Sequence, residues 1–404
     1  MFLKPNRILQ LMAGAAMATA VFAGAQDPAP AATPAAAQAP ATPAPAAAPA
    51  APTWSVGPMD ISGLIDGYYS YNFNTPSAVN NGQANDLYNF NDKTDQFNLS
   101  EARLTLNHDP DPVGAHVDFV YGRVNQFINA ASANTTSADQ LTYIEQAFVS
   151  MKPAKAKGFE MDFGKFVTSA GAEVIEAKDN WNYSRSILFG WAIPYWHFGL
   201  RTSMPVSKSE TLGVQVVNGW NNISKANGGA TIGVTSAWVK PKASWFINWY
   251  GGPENALTTN GYRNLFDSTL LLTPSSKFNA YLNYDYGQNR DAIVTTGSST
   301  FGDKNLNHWQ GFAGAAHVQA SGAQAISGRF EYFTDPQGFE TGTSQHLYEF
   351  TGTYEYKWAA GLLTRVEYRR DWSDANFFHK NDSTLVKSQD TVTASFIAFF
   401  GPKR

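Results

Sequence analysis

Arg365, Glu367 and Arg369 stand at alternate positions of one short segment, and Arg329 with Glu331, Glu101 with Arg103, and the acids Glu349 and Glu355 keep the same two-residue phase elsewhere. Residues two apart share one face of a β-strand, so each set presents its charges side by side on a single surface. Rows of guanidinium and carboxylate groups can set an electric field and exchange hydrogen bonds with polar solutes. Nothing beside them turns them into a catalytic set. The seven histidines, at 108, 116, 197, 308, 317, 346 and 379, show no H-E-x-x-H or similar ligand spacing, and neither a G-x-S-x-G turn nor a phosphate-binding loop occurs. The absence of cysteine excludes disulfides and thiolate metal sites. No catalytic residue, metal or cofactor is therefore expected, and the chain does not read as an enzyme. A net charge of -4 without a basic block gives nucleic acid no electrostatic footing.

The elements that must position these charges are strands. From Trp54 onward, period-2 alternation recurs with one register apolar or aromatic and the other polar or small. Tyr348, Phe350, Tyr354, Tyr356 and Trp358 oppose Glu349, Thr351, Thr353, Glu355 and Lys357; Val366, Tyr368 and Trp372 oppose Arg365, Glu367, Arg369 and Asp371. Such segments lie near 56–73, 94–108, 112–124, 140–152, 157–167, 195–205, 209–220, 230–240, 243–251, 261–273, 276–288, 307–319, 323–334, 344–358, 360–372 and 388–400. That makes about 16 strands, long enough for the ~9–11 residues that a tilted membrane strand needs. Their connections alternate between short turns such as Asp109-Pro110-Asp111 and Pro274-Ser275 and long loops such as 74–93, 168–194 and 373–387.

The pattern predicts an all-β fold: a closed antiparallel transmembrane β-barrel with short periplasmic turns and long extracellular loops. It also accounts for the composition. Only 15% of the 404 residues are charged, against 43% hydrophobic and 14% aromatic, and a charge on the lipid face is costly. The mean hydropathy of -0.30, without an unbroken apolar run of helical span length past the N-terminus, excludes a helical membrane bundle. A secreted β-sandwich, propeller or carbohydrate-active protein would share the alternation, but not the long strands or the segregation of short turns from long loops.

If the aromatic register meets lipid, Trp196, Trp238, Trp245, Trp249 and Trp358 are expected in interfacial girdles. The opposite register then faces the lumen, and the expected pore-lining set is Glu101, Arg103, Asp118, Arg201, Arg329, Glu331, Glu349, Arg365, Glu367 and Arg369. A barrel of this strand number is too wide for side chains to fill, so water is its expected content. The longest connection, about 168–194, mixes carboxylates with apolar residues. Two arrangements suit it: it folds into the barrel as a constriction loop, with Val174 and Ile175 as anchors and Glu173, Glu176, Asp179 and Arg185 at the water path, its acids opposite wall arginines, or it stays outside as an extracellular loop with an ordinary solvated charge pattern. The alternative is a plugged barrel acting as an adhesin or receptor through long loops such as 289–306 and 373–387.

The N-terminus reads as an address and a spacer. Lys4 and Arg7, the apolar stretch around Ile8–Phe22 and Ala23-Gly24-Ala25 form a signal peptide over 1–25, cut before Gln26. Residues 26–53 are almost entirely Ala and Pro, an expected disordered periplasmic linker, and 54–404 form the barrel domain. Without Lys4 and Arg7 the charge falls to -6, a weak lean toward cations.

Ile61-Ser62-Gly63-Leu64-Ile65-Asp66-Gly67-Tyr68-Tyr69 and Phe97-Asn98-Leu99-Ser100-Glu101-Ala102-Arg103-Leu104 resemble the opening strands of the OmpL-like β-barrel porin family of Gram-negative outer membranes. Phe163-Gly164-Lys165-Phe166, His197-Phe198-Gly199-Leu200-Arg201 and Val217-Asn218-Gly219-Trp220 resemble further blocks of that family. The resemblance implies a channel in the cell outer membrane for passive transport of small hydrophilic solutes, with membrane lipid as its surround. It also implies a homotrimer, by analogy with porins of similar strand number, and recognition by the outer-membrane assembly machinery. Phe396, Phe399 and Phe400 would supply the aromatic signal for that machinery ahead of the tail Gly401–Arg404. Gly171-Ala172-Glu173 departs from the Gly-Tyr-Glu-like step common in the family.

Overall fold

Period-2 alternation buries one face of each strand and leaves the other in contact with the surroundings, and a sheet with two such faces can satisfy its edges by closing on itself. The computed structural model describes residues 55–56, 58–130, 143–256, 258–291, 294–296, 299–301, 305–359 and 361–402. The expected signal peptide, its cleavage position and the linker lie outside the described residues.

Sixteen antiparallel strands form the wall. They are β1 (Met59–Asn72), β2 (Gln96–His108), β3 (Val113–Tyr121), β4 (Ile144–Met151), β5 (Glu160–Val167), β6 (Trp196–Pro205), β7 (Glu210–Val217) and β8 (Thr231–Lys240), then β9 (Ala243–Gly252), β10 (Arg263–Ser275), β11 (Phe278–Arg290), β12 (Leu306–Gln319), β13 (Gln324–Asp335), β14 (Gln345–Ala359), β15 (Leu362–Ser373) and β16 (Ser388–Phe400). Each pairs with its sequence neighbour, and β1 pairs with β16 from Gly63 opposite Phe400 to Asn72 opposite Thr391, which closes the barrel. The expected strands agree to within a few residues, with the widest gap at the start of β4, expected near 140 and found at 144.

The two registers separate as the alternation requires. Phe350, Val366 and Phe396 face outward and are about half exposed or more, whereas Thr351, Glu367 and Ser395 face inward and are buried. Trp238, Trp245, Trp249 and Trp358 are outward and exposed, as a girdle demands. Trp196 is not. It is fully buried, donates its indole N–H to the Ile128 carbonyl at 2.9 Å and carries the Lys165 ammonium 4.2 Å from its ring. Ile128 belongs to an eight-residue helix, α1 (Arg123–Ala130), in the second long loop, and that helix covers Trp196.

The wall is uneven in height. From β3 to β9 the strands have 8–10 residues, and from β10 to β16 they have 12–15. Bulges interrupt the ladder between Asp66 and Gly67 and between Asp118 and Phe119. At the first, Ser100 and Glu101 are both buried; at the second, Glu145 is the extra residue opposite β3 and is turned into the interior.

Candidate functional site: the loop inside the barrel

The connection from β5 to β6, residues 168–195, runs into the lumen rather than away from it. It has one turn of 3-10 helix at Ala177–Asp179 and one π-helical turn at Leu188–Ala192, so most of its backbone N–H and C=O groups lack partners within the loop. A buried backbone group without a partner costs as much as a lost hydrogen bond, so the wall must supply what the loop lacks.

The alternating charges of β13–β15 do so. Glu367 accepts from the N–H groups of Tyr183 and Ser184 at 2.6 and 2.9 Å, and Glu331 from those of Ile187 and Leu188 at 2.9 and 3.1 Å. Arg365 donates to the carbonyls of Ala177 and Asn180, both at 2.5 Å. Arg329 donates to the Ser184 carbonyl at 2.8 Å and Arg369 to that of Arg185 at 2.7 Å. The same arginines are neutralised within the wall: Arg329 by Glu349 at 2.9 Å, Arg365 by Glu355 at 2.7 Å and Arg369 by Asp371 at 2.7 Å. Strand register explains the partnership, since Arg365 lies directly opposite Glu355 and Arg369 two residues from Asp371 on one face. One strip of wall thus clamps the loop main chain from Ala177 to Leu188.

The loop's own acids divide. Glu173 pairs with Arg329 at 2.6 Å and accepts the Ser186 N–H at 2.6 Å, and Glu176 pairs with Arg103 on the far wall. Asp179 reaches no wall arginine and pairs instead with its neighbour Lys178 at 2.5 Å. Arg185 is buried and donates to the Tyr183 carbonyl at 2.7 Å, its guanidinium 5.1 Å from the Phe90 ring. Of the expected apolar anchors, Ile175 is buried and Val174 is only partly so.

Around Arg103 the far wall gathers acids. Glu101 and Glu145 both lie at 2.5 Å and Asp118 at 3.5 Å, with Glu176 reaching across from the loop. Glu145 carries a signal that alternation does not show, because the bulge opposite Asp118 turns it inward. Other anchors outside the expected set are Asp66, which accepts the Tyr183 hydroxyl at 2.9 Å, and Asp267, which accepts the Gly171 N–H at 2.9 Å. Trp181 stacks on Tyr281 and His317 with ring centres 5.3 and 5.5 Å away.

An apolar cluster completes the packing inside the barrel. Leu87 and Phe90 from the first long loop meet Ile175, Ile187, Leu188, Phe189 and Ile193 of the inward loop. Trp191 donates to the Leu87 carbonyl at 3.2 Å, and Trp309 of β12 donates to that of Ala192 at 3.0 Å.

All ten wall residues singled out from sequence point inward. Nine of them, Glu101, Arg103, Asp118, Arg329, Glu331, Glu349, Arg365, Glu367 and Arg369, are covered by the loop or by one another, none more than 9% exposed. Arg201 alone opens onto unfilled space, a cavity of about 310 Å³ beside β2–β9. Its lining runs from Asn107–Pro110 at the β2–β3 turn up to Ser169 at the root of the inward loop. The expectation that water fills the interior is thus modified at mid-height, where loop and side chains occupy it. Among the described residues no group of three or more His, Asp or Glu side chains is arranged to hold a metal ion.

A closed sixteen-strand barrel with a lipid-type outer face, polar inner face, short turns at one end and an inward loop is the architecture of an outer-membrane porin. Residues 58–400 match the family model described as "Putative beta-barrel porin-2, OmpL-like", and the chain belongs to that family. It resides in the outer membrane, with the short turns on the periplasmic side. No curated protein matches. Solved structures with a similar fold include an anion-selective porin from Comamonas acidovorans, at TM-score 0.56 and 10% identity, covering 85% of this chain and 99% of that one. OmpF of Salmonella typhi, in complex with daunomycin, gives 0.53 and 14%, covering 85% and 97%. In-vitro folded OmpT of Vibrio cholerae, in its trimer form, gives 0.52 and 11%, covering 85% and 99%.

Proposed function

We propose that this protein is a diffusion porin for small hydrophilic solutes, that the loop over 168–195 is its constriction, and that it performs no catalytic step and uses no cofactor. The observation that carries the reading is the pairing of a loop clamped across the lumen with a polar cavity left open beside it, from the periplasmic rim to the root of the loop. A loop held by charged hydrogen bonds on both walls fixes the size of the remaining path, and the paired charges order the water within it. Assembly as a trimer, the form named for the Vibrio cholerae structure, belongs to the same reading.

A second reading, a closed barrel that acts as a receptor or adhesin through its long loops, draws on the near-complete covering of nine of the ten wall charges. Planar-bilayer recordings separate the two. The intact protein is expected to conduct in small unitary steps, and deletion of residues 172–180 to enlarge them. Absence of conductance in the intact protein favours the receptor; conductance unchanged by the deletion removes the constriction role. Reversal potentials under a salt gradient give the charge preference.

A further inference from the structure

The cavity beside β2–β9 is chemically unlike the clamped centre of the barrel. The charges along its wall form ion pairs, Arg201 with Asp162 at 2.7 Å and Glu160 with Lys152 at 2.9 Å, while at the rim Asp109 accepts the Asn107 amide at 2.8 Å. The Arg201 guanidinium also lies 5.0 Å from the Phe148 ring centre and 4.6 Å from that of Phe166, so it is held on aromatic faces as well. Along that wall a charged solute therefore meets only counter-charges that are already paired.

The hydroxyls are the groups left over. Among the described residues, Ser203 of β6, Thr211 of β7 and Thr235 of β8 line the cavity, and their hydroxyls have no hydrogen-bond partner in the protein. They come from three consecutive strands. Gly213, directly opposite Thr235 in the ladder, puts no side chain on that wall. At the roof, Gln215 donates to Ser169 at 3.3 Å while its carbonyl oxygen is buried and unpartnered. Hydroxyls that both donate and accept, together with a free amide oxygen, match a ligand that is itself rich in hydroxyls. The cavity volume of about 310 Å³ sits at the lower end of the ~300–1,000 Å³ of small-molecule pockets, which admits one sugar ring rather than a chain.

We infer that this periplasmic-side vestibule is a weak binding site for a neutral polyhydroxylated solute of monosaccharide size. The inference rests on the porin reading for the route by which the solute arrives, but the site itself can be assayed without conduction. Saturation-transfer NMR on the full detergent-solubilised barrel, with D-glucose as the probe, is expected to give a saturable signal. Thr211→Val with Thr235→Val keeps shape and removes two hydroxyls; it is expected to raise the half-saturating concentration at least about fivefold, the loss of two neutral hydrogen bonds. Ser203→Ala is expected to act in the same direction by a smaller factor. A signal that does not saturate, or that the variants leave unchanged, overturns the inference. So does equal, variant-sensitive saturation by glycine betaine, a zwitterion of similar size. Bilayer conductance in the same preparation keeps the two readings apart. Conduction without glucose saturation leaves the porin and removes the sugar site, whereas saturation without conduction does the reverse.

Discussion

Replacing Arg365 by Met keeps side-chain length and apolar stem but removes a guanidinium that holds two loop carbonyls. In the intact protein it donates to Ala177 and Asn180 at 2.5 Å each, approaches the Asn182 carbonyl at 3.4 Å and pairs with Glu355 at 2.7 Å. A hydrogen bond to a charged group contributes about 1.5–3 kcal/mol, so the two short contacts together hold the loop by about 3–6 kcal/mol. Removing one partner of a buried pair costs at most a similar ~3–5 kcal/mol, and less here because Glu355 keeps the Lys357 ammonium at 3.6 Å. The lower figure, about 3 kcal/mol, corresponds to a roughly 150-fold rise in the population with the loop released. The barrel should stay intact, since the ladder between β14 and β15 uses backbone groups that the substitution does not touch.

Amide hydrogen exchange at residues 177–182 in detergent or nanodiscs reads that population directly, and single-channel recording reads its consequence as larger or more frequent openings. Arg370→Met is the control: Arg370 lies on the outer face, paired with Asp390 at 3.1 Å, and neither measurement should move. Exchange rates and conductance indistinguishable from those of the intact protein in Arg365→Met would refute the idea that wall charges hold the loop.

Two further outcomes follow from the same packing. Phe350 sits midway along β14 and faces outward, so Phe350→Arg should cost about 2–4 kcal/mol of folding free energy in lipid vesicles, measured by denaturant titration, while Glu349→Gln should leave insertion intact. In the loop after β13, burial pushes the Glu340 carboxyl up to about 7, with Arg263 opposing and Asp335 adding to the shift. The folded loop therefore favours the protonated form. Its stability should be greatest below about pH 4.5 and fall as pH rises through about 7. The protection of the Phe339, Glu340 and Thr341 amides, whose N–H groups donate to Asp335, measured relative to intrinsic base-catalysed exchange, should fall across that window and stay level in Glu340→Gln.

The strand alternation made most of the wall legible. In β14, Phe350 and Tyr354 could only be outside if Glu349, Thr351 and Thr353 were inside, and a slip by one residue would exchange every side chain of that strand. The bulges escaped this logic. Glu145 reads as out of phase with Gln146 and Ser150, and only the extra residue opposite Asp118 turns it toward Arg103. Trp196 escaped it too, because the helix that covers it is contributed by a loop more than sixty residues earlier in the chain.

The sequence by itself determined the architecture and the side on which the charges of the unbulged strand segments lie, since both follow from a period of two and from the cost of charge in lipid. What those charges do was decided by tertiary structure. Arg329, Arg365 and Arg369 lie 145–188 residues from the carbonyls they hold, and Glu331 and Glu367 lie about as far from the N–H groups they accept. No local pattern encodes such partners. They exist because a loop without regular structure must satisfy its backbone on whatever polar wall it meets, and this wall offers donors and acceptors in alternation.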